Sequence, residues 1–318
     1  MTSGAIATPV PFAPRGWSRW LDSMPHPALA CEIAPGHVAV ARGWHAALEP
    51  LPEGAVAPSP VETNLPDPLA VRARLQAALN RIGAKGPEVA LLLPDQVIRV
   101  FLLHFETFPR RTEEAIPLLR WRLKKSVPFE MEETIVSYMP QPLAPSQNLG
   151  VSILAAVARE KVVRQYEELT EALELRPGVV MSSTLAALRL IADERPVLLV
   201  RLSGQTLTSV IVRGEALCVY RCTAVPAGSD RIEPAAVLEE LYPAVAYFQD
   251  TWRENVSEVR LAGFGGRFEE FRRTIEQELG SRTYALLGSS TPGMPAEARQ
   301  ITEKQLDALA GWAQGGSA

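Results

Sequence analysis

A pair of similar segments, about half a chain apart, constrains the fold of this sequence more than any other feature. The first is "ACEIAPGHVAVARG" (Ala30–Gly43) and the second is "VRLSGQTLTSVIVRG" (Val200–Gly214). Each has an apolar run, a turn with a glycine (Gly36 or Gly204), an alternating run and a closing Arg-Gly. This pattern predicts a β-hairpin in each half of the chain. Two matching hairpins in turn predict a duplicated α/β fold, with two lobes and a cleft between them.

Glu32 and Arg201 occupy equivalent positions in the two hairpins. In a duplicated fold the two hairpins face each other across the cleft, so these side chains should approach from opposite lobes. We expect them to pair directly or through one water, which places them within about 8 Å of each other.

Size and composition are those of an ordinary globular protein. The chain has 318 residues, of which 47% are hydrophobic and 21% are charged, enough to form two separate cores. The formal net charge of −4 argues against a dedicated nucleic-acid-binding protein, which usually has a basic balance. No run approaches the roughly 20 apolar residues of a membrane span. The N-terminus lacks the basic and apolar regions of a signal peptide.

The cysteines and histidines predict neither a disulfide nor a metal site. Cys218 and Cys222 are four residues apart in a β-like run, which separates them by roughly 13 Å along one strand. A disulfide cannot span that distance. Reduced thiols in the cytoplasm are therefore expected for these two residues and for Cys31. The four histidines lack metal-ligand spacing, both among themselves and with the cysteines.

A glycine-rich turn lies late in the chain. The stretch "VRLAGFGGRFEEFRR" (Val259–Arg273) predicts a strand, a turn and the start of a helix. Such turns often hold a phosphate or a nucleotide, because small residues let backbone N–H groups approach a ligand at a helix N-terminus. A purely structural turn needs glycine for the same backbone reasons. The motif alone therefore leaves both functions open.

The order of these motifs resembles that of the actin-like ATPase fold, a duplicated ribonuclease H-like fold. Its phosphate-1, phosphate-2 and adenosine motifs correspond to the first hairpin, the second hairpin and the "GFGG" turn. The stretches "LLLPDQVIRVFLLHFETFP" and "LLRWRLKKSVPFEMEETIVSYMP" are similar to the signature of PilM-type proteins, the actin-like component of the type IV pilus inner-membrane assembly platform. In that signature, two strands precede a helix that ends in a Pro-Phe pair and acidic residues, here Pro128, Phe129, Glu130, Glu132 and Glu133.

This resemblance implies a domain organisation and a partner. A Pro-rich extension is expected at residues 1–27, a first actin-like lobe at 28–195 with an inserted subdomain at about 88–158, and a second lobe at 196–318. PilM-type proteins are cytoplasmic scaffolds, peripheral at the inner membrane, that bind the N-terminal tail of a PilN-type single-span protein. The tail lies in a groove between the first lobe and its inserted subdomain, here within Leu91–Val157. The resemblance also implies contacts with other platform proteins or with a second copy of the chain. It implies no binding of nucleic acid, and contact with the membrane only through the partner.

The two phosphate hairpins depart from those of nucleotide-binding relatives. Those relatives place an aspartate and then a glycine in each hairpin, where they organise the metal and approach the phosphates. Glu32 and Ala34 occupy the first pair of positions here, and Arg201 and Ser203 occupy the second. A cation at position 201 opposes Mg²⁺ binding, because Mg²⁺ requires anionic oxygen ligands.

We therefore interpret the nucleotide site as vestigial and the protein as a non-enzyme. In the adenosine turn, Phe264 follows Gly263 where a second glycine is usual. The vestigial site comprises Glu32, Gly36, Arg201, Ser203, Gly204, Gly263, Phe264, Gly265 and Gly266. No cofactor is required and ATP hydrolysis is not expected, although the Arg201 guanidinium alone could hold a phosphate weakly without metal. The alternatives are a working actin-like ATPase, a sugar-kinase-type phosphotransferase, and a type II secretion component, which would normally continue into a membrane span.

Four residues are candidates for binding the partner. Arg120 and Lys124 share one face of a predicted helix, in a basic stretch that could contact anionic lipid or an acidic partner segment. A solvated helix face is the alternative for this stretch. Pro128 and Phe129 either face a partner or stop the helix with an anchored aromatic ring.

Overall fold

The computed structural model of the protein describes residues 16–84, 86–146, 149–191, 193–226, 231–288, 291 and 294–316. Most of the expected Pro-rich extension, residues 1–15, lies outside the described residues.

The strands of the described chain follow one another as β1 (Leu29–Ala34), β2 (His37–Arg42), β3 (His45–Pro50), β4 (Glu88–Leu93), β5 (Arg99–Phe105), β6 (Thr134–Gln141), β7 (Val151–Arg159), β8 (Arg176–Ser182), β9 (Pro196–Ser203), β10 (Thr206–Arg213), β11 (Ala216–Ala224), β12 (Glu258–Ala262) and β13 (Arg282–Ala285). The α-helices are α1 (Trp17–Asp22), α2 (Pro68–Arg81), α3 (Thr112–Leu123), α4 (Glu160–Glu171), α5 (Ser183–Ala187), α6 (Pro234–Trp252), α7 (Phe268–Leu279), α8 (Arg299–Glu303) and α9 (Asp307–Gly315).

Two five-stranded sheets have the same strand order. The first is β3-β2-β1-β4-β8 and the second is β11-β10-β9-β12-β13. In each sheet the first hairpin strand, β1 or β9, pairs antiparallel with the next strand and parallel with a later one, β4 or β12. The duplication that the two hairpins predict is therefore present. The sequence analysis did not anticipate the edge strands β3 and β13, which complete the two sheets.

A third sheet, of order β5-β7-β6, is entirely antiparallel and is inserted between β4 and β8. Helix α3 packs on one face of it through Ala115, Leu119 and Leu123, opposite alternate residues of β7. The insertion begins after β4 rather than near residue 88. Strand β4 lies in the first main sheet, where it pairs with both β1 and β8.

The two ends of the described chain pack differently. Trp17, Trp20 and Leu21 of α1 are buried in an apolar cluster to which both lobes contribute, and the Trp17 indole donates a hydrogen bond to the Gly214 carbonyl of the second lobe at 3.0 Å. The Trp312 indole of α9 donates a hydrogen bond to the Pro27 carbonyl at 3.0 Å. Helix α9 contacts β1, β2 and α5, although the sequence analysis assigned this part of the chain to the second lobe. The reason is its apolarity, since α9 is buried along most of its length. No helix in the described ranges combines the length and apolarity that crossing a bilayer requires.

Candidate functional site

A buried ion-pair cluster joins the two lobes. Arg201 on β9 donates from Nη2 to Glu32 Oε1 on β1 at 2.8 Å. It also forms a forked pair with Asp307 at the start of α9, from Nε at 2.6 Å and from Nη2 at 3.3 Å. Asp95, just after β4, lies 3.9 Å from Nη1. The predicted pairing of Glu32 with Arg201 is confirmed, and it is direct.

The charges of this cluster are divided between the lobes. The guanidinium belongs to the second lobe, whereas all three carboxylates come from elements of the first sheet or, for Asp307, from the helix packed on it. Each of the four side chains is at most 8% exposed. Since attraction between charges strengthens as water is excluded, the cluster acts as an electrostatic connection between the two lobes.

Asp95 extends the connection through hydrogen bonds from neutral donors. Its carboxylate accepts from the Thr184 N–H at 3.0 Å, from the Thr184 hydroxyl, and from the Thr208 hydroxyl at 2.7 Å. Thr208 lies on β10 directly opposite Arg201, so this contact also crosses from one lobe to the other. Nearby, the hydroxyls of Ser182 and Tyr220 are 3.1 Å apart. The carboxylate of Asp95 is therefore satisfied by hydroxyl and amide donors as well as by charge.

The electrostatics keep Arg201 ionised. Burial alone would lower the pKa of its guanidinium, but the carboxylates of Asp307, Glu32 and Asp95 outweigh that effect and raise the pKa above its usual value. For Tyr220, burial is the main cause of a raised pKa, and the Asp95 charge adds to it. Both groups hold their protons throughout the neutral range. The site therefore presents a permanent cation and a neutral phenol, neither of which suits a general base near pH 7.

The tips of the two hairpins meet beside this cluster. Gly204 has φ +58°, and a Cβ built on it would lie 3.5 Å from Cβ of Pro35 in the other hairpin turn. Ser203 is half-buried next to this contact, whereas Gly36 has open space around its Cβ position. Cavities of about 420 and 560 Å³ lie elsewhere, and neither is lined by a residue of the two hairpin turns. The turns of the two hairpins therefore lie close to each other at Gly204 and Pro35.

The glycine turn packs against the same strand that carries Arg201. Gly263 has φ +82°, and a Cβ built there would lie 1.8 Å from the backbone oxygen of Leu202. Phe264 is buried in the core of the second lobe, where its ring centroid is 4.6 Å from that of Phe271. Gly265 and Gly266 have no atoms within 4 Å of their Cβ positions. Close backbone packing therefore accounts for the first glycine of the motif, whereas the Cβ positions of the last two face open space.

A solved structure described as the PilM–PilN type IV pilus biogenesis complex matches this chain with a TM-score of 0.71. The match covers 92% of this chain and 99% of that chain, at 18% sequence identity. The chain has the fold of PilM. The actin-like α/β fold predicted from the sequence, with the PilM-type resemblance, is thereby confirmed at the level of fold.

Two further solved structures match the chain with lower TM-scores. A Bacteroides thetaiotaomicron protein with an actin-like ATPase fold and unknown function matches at a TM-score of 0.46 and 11% identity, over 86% of this chain and 95% of that chain. The cytoplasmic domain of EpsL, an inner-membrane component of the type II secretion system of Vibrio cholerae, matches at 0.45 and 11%, over 83% and 98%. No family model and no curated protein sequence matches the chain.

The four partner-binding candidates lie in or just after α3, and they are of two kinds. Arg120 donates to the Thr134 carbonyl at 3.0 Å, and Phe129 packs against the apolar core beneath α3. Both therefore make structural contacts. Lys124 and Pro128 are exposed. A role of any of the four in binding a partner stays a prediction.

No sequence pattern described above indicates two members of the cluster, Asp95 and Asp307. Gln305 has φ +53° and separates α8 from α9. Asp307 consequently begins a helix, with its carboxylate directed at Arg201. The available signal was Arg201 itself, because a buried guanidinium has five N–H donors and needs more acceptors than Glu32 alone supplies.

Proposed function

We propose that this protein is a non-catalytic scaffold of a type IV pilus or related secretion platform, which binds the N-terminal tail of a PilN-type membrane protein. The observation that carries the proposal is the structural match to the PilM–PilN complex over 92% of the chain. The proposed place of work is the cytoplasmic face of the inner membrane, where the tail recruits the protein as a peripheral component.

The ion-pair cluster supports the absence of catalysis. Arg201 occupies a position at which nucleotide-binding relatives are expected to organise metal and phosphates, and it is already bonded to Glu32 and Asp307. A phosphate could reach this guanidinium only by displacing a buried carboxylate. A Mg²⁺ ion would have to take the carboxylates of Glu32 and Asp307 away from the guanidinium to which they are bonded. Both steps are unfavourable, so the cluster opposes binding of a metal–nucleotide complex.

We expect calorimetry with ATP to show no Mg²⁺-dependent binding and no phosphate release. The titration is run with and without Mg²⁺, and phosphate release is measured on the same sample. Weak binding that is indifferent to Mg²⁺ would assign the phosphate to Arg201 and leave the non-catalytic role intact. Tight Mg²⁺-dependent binding with turnover would instead support the working ATPase or phosphotransferase.

The three-stranded sheet offers the docking face for the tail. Its first face is covered by α3, as described above. Ser137 and Ala156 are register partners on the opposite face, and both are partly exposed. Ile135, two residues earlier on β6, is 46% exposed. Leu102 of β5, which is partly exposed, packs on the first-lobe core. This face therefore combines apolar side chains with a boundary to the first lobe, as a groove for a short peptide requires.

We expect the N-terminal tail peptide of a PilN-type protein to bind with micromolar affinity, about −8 kcal/mol. Ile135→Asp should weaken binding at least about tenfold, because it places a charge where an apolar anchor docks. Leu69→Asp is the matched control, since Leu69 is 65% exposed on α2 and should leave binding unchanged.

The readouts are fluorescence anisotropy of the labelled peptide and recruitment to phosphatidylcholine vesicles that display it. Equal binding by the Ile135→Asp variant would assign the tail to another surface. Failure of the wild-type protein to bind the tail, or tight binding to bare phosphatidylcholine that the tail does not affect, would contradict the proposed function.

A further inference from the structure

Trp121 is the most exposed tryptophan of the chain. Its side chain is 73% exposed on α3. The chain has six tryptophans, of which Trp17, Trp20, Trp252 and Trp312 are buried and Trp44 is half-buried. A side chain of this size contributes strongly to stability or binding when it is removed from water. Its exposure is therefore unexplained by the fold, because α3 packs through its other side.

Basic side chains surround this tryptophan. Arg122, Lys124 and Lys125 are exposed, and none of them forms an ion pair within the described part of the chain. Lys124 and Lys125 follow Trp121 by three and four residues, so they lie on its side of the helix end. Cations near a helix C-terminus interact favourably with the helix dipole. This interaction accounts for the basic side chains. The dipole does not account for an exposed tryptophan among them.

The four exposed residues Trp121, Arg122, Lys124 and Lys125, here called the Trp-basic surface, lie at the C-terminal end of α3. The side of α3 that carries Ala115, Leu119 and Leu123 is buried against the three-stranded sheet, so Trp121 projects outward from the subdomain. Neither of the two cavities is lined by these residues. A peptide would need a groove or a free strand edge, whereas a flat lipid surface fits a projecting side chain.

We infer that the Trp-basic surface docks on an anionic lipid bilayer. Tryptophan is enriched at membrane–water interfaces, where its ring lies at the headgroup level, and lysine and arginine are attracted to anionic headgroups. The chain as a whole carries a net charge of −4, so an anionic surface attracts this basic helix end more than the molecule on average. Docking therefore also orients the protein. The inference uses a different face from the proposed tail groove and does not rest on it.

The sequence resemblance implies membrane contact through the partner alone. The Trp-basic surface would add a direct contact with lipid. One tryptophan and three cations give weak binding. The contribution becomes substantial once a partner holds the protein at the membrane, because the second contact is then intramolecular.

Vesicle sedimentation tests the inference with the full chain and no partner present. We expect partition to vesicles of phosphatidylglycerol and phosphatidylethanolamine, none to phosphatidylcholine, and a loss of binding at about 1 M salt, where charges are screened beyond about 3 Å. Trp121→Ala should reduce the partition by about tenfold, the lower end for removing a large buried apolar side chain. Arg122→Glu with Lys125→Glu should reduce it at least about twentyfold, since each basic side chain contributes roughly fivefold.

Two control variants test whether a change in net charge, or the loss of an exposed aromatic ring elsewhere on the protein, lowers binding to vesicles. Lys161→Glu with Lys304→Glu changes the net charge equally on other exposed lysines, and Tyr247→Ala removes an exposed aromatic ring from α6. Both should partition as the wild type does. A loss equal to that of the Arg122 and Lys125 variant would overturn the inference, because net charge alone would then explain binding.

Tryptophan fluorescence supplies a second readout. Binding should shift the emission to shorter wavelength, and brominated lipid should quench it, because Trp121 reports directly from the interface. Trp121→Phe should abolish the shift and the quenching. If the wild-type protein ignores anionic vesicles but binds polyglutamate, the surface belongs to an acidic protein partner and the lipid inference is wrong.

Discussion

Replacing Arg201 with methionine should lower the free energy of unfolding by about 3–5 kcal/mol, the usual cost of removing one partner from a buried ion pair. The variant leaves the carboxylates of Glu32 and Asp307 buried without a cation, and it removes the charge closest to Asp95. Methionine fills much of the volume of the arginine side chain. The decrease in the free energy of unfolding therefore reflects the lost charge more than lost packing. Chemical denaturation followed by circular dichroism measures it.

Two further variants test whether the cluster causes this loss. Arg195→Met removes an arginine that is 65% exposed and paired with Asp193 at 2.7 Å. A surface pair of this kind contributes little to stability, so this variant should unfold much as the wild type does. Combining Arg201→Met with Glu32→Leu and Asp307→Leu should recover most of the lost stability, because the carboxylates no longer need a counter-charge. An Arg201→Met protein as stable as the wild type would show that the cluster carries no net electrostatic stabilisation.

The cluster connects the two lobes through direct side-chain contacts. Glu32, Asp95 and Asp307 approach from the first-lobe side, while Arg201 and Thr208 belong to the second sheet. A cleft that opens and closes around a nucleotide would have to break these contacts in each cycle. A scaffold that presents a fixed surface to a partner gains from keeping them, since a preorganised site loses less entropy on binding.

The sequence predicted the parts of the fold that local pattern encodes. The hairpins follow from alternation and turn glycines, and the pairing of Glu32 with Arg201 follows from their equivalent positions in a duplicated fold. Strand β13 was missed because four residues, "RTYA", are too few to show an alternating pattern. It forms because β12 offers it an edge in parallel register.

The remaining members of the site depend on long-range packing that no local pattern shows. Asp307 is separated from Arg201 by 106 residues. It reaches the cluster because α9 packs very closely on α5, where a Cβ on Gly311 would lie 2.1 Å from the Ala186 carbonyl oxygen. The exposure of Trp121 likewise depends on which face of α3 the sheet covers. The sequence could place Trp121 on a helix, but only the packing shows that its side chain remains outside.

Gly263→Ala should cost at least about 3 kcal/mol of stability, which is large for the addition of one methyl group. The new Cβ would overlap the Leu202 backbone oxygen, and φ +82° is unfavourable for alanine. Neither strand can move freely, because β9 and β12 are register partners over the whole of β12. Thermal and chemical denaturation both measure the effect.

Gly266→Ala is the matched control within the same turn. Its Cβ position has no atom within 4 Å, so the substitution should change stability by less than about 0.5 kcal/mol. The contrast also distinguishes the two functions that the sequence left open. A turn kept for packing tolerates the change at Gly266 and not at Gly263, with no effect of ATP on either. If ATP stabilises the wild-type protein and the Gly266→Ala variant loses that stabilisation, the turn holds a nucleotide and the site is not vestigial.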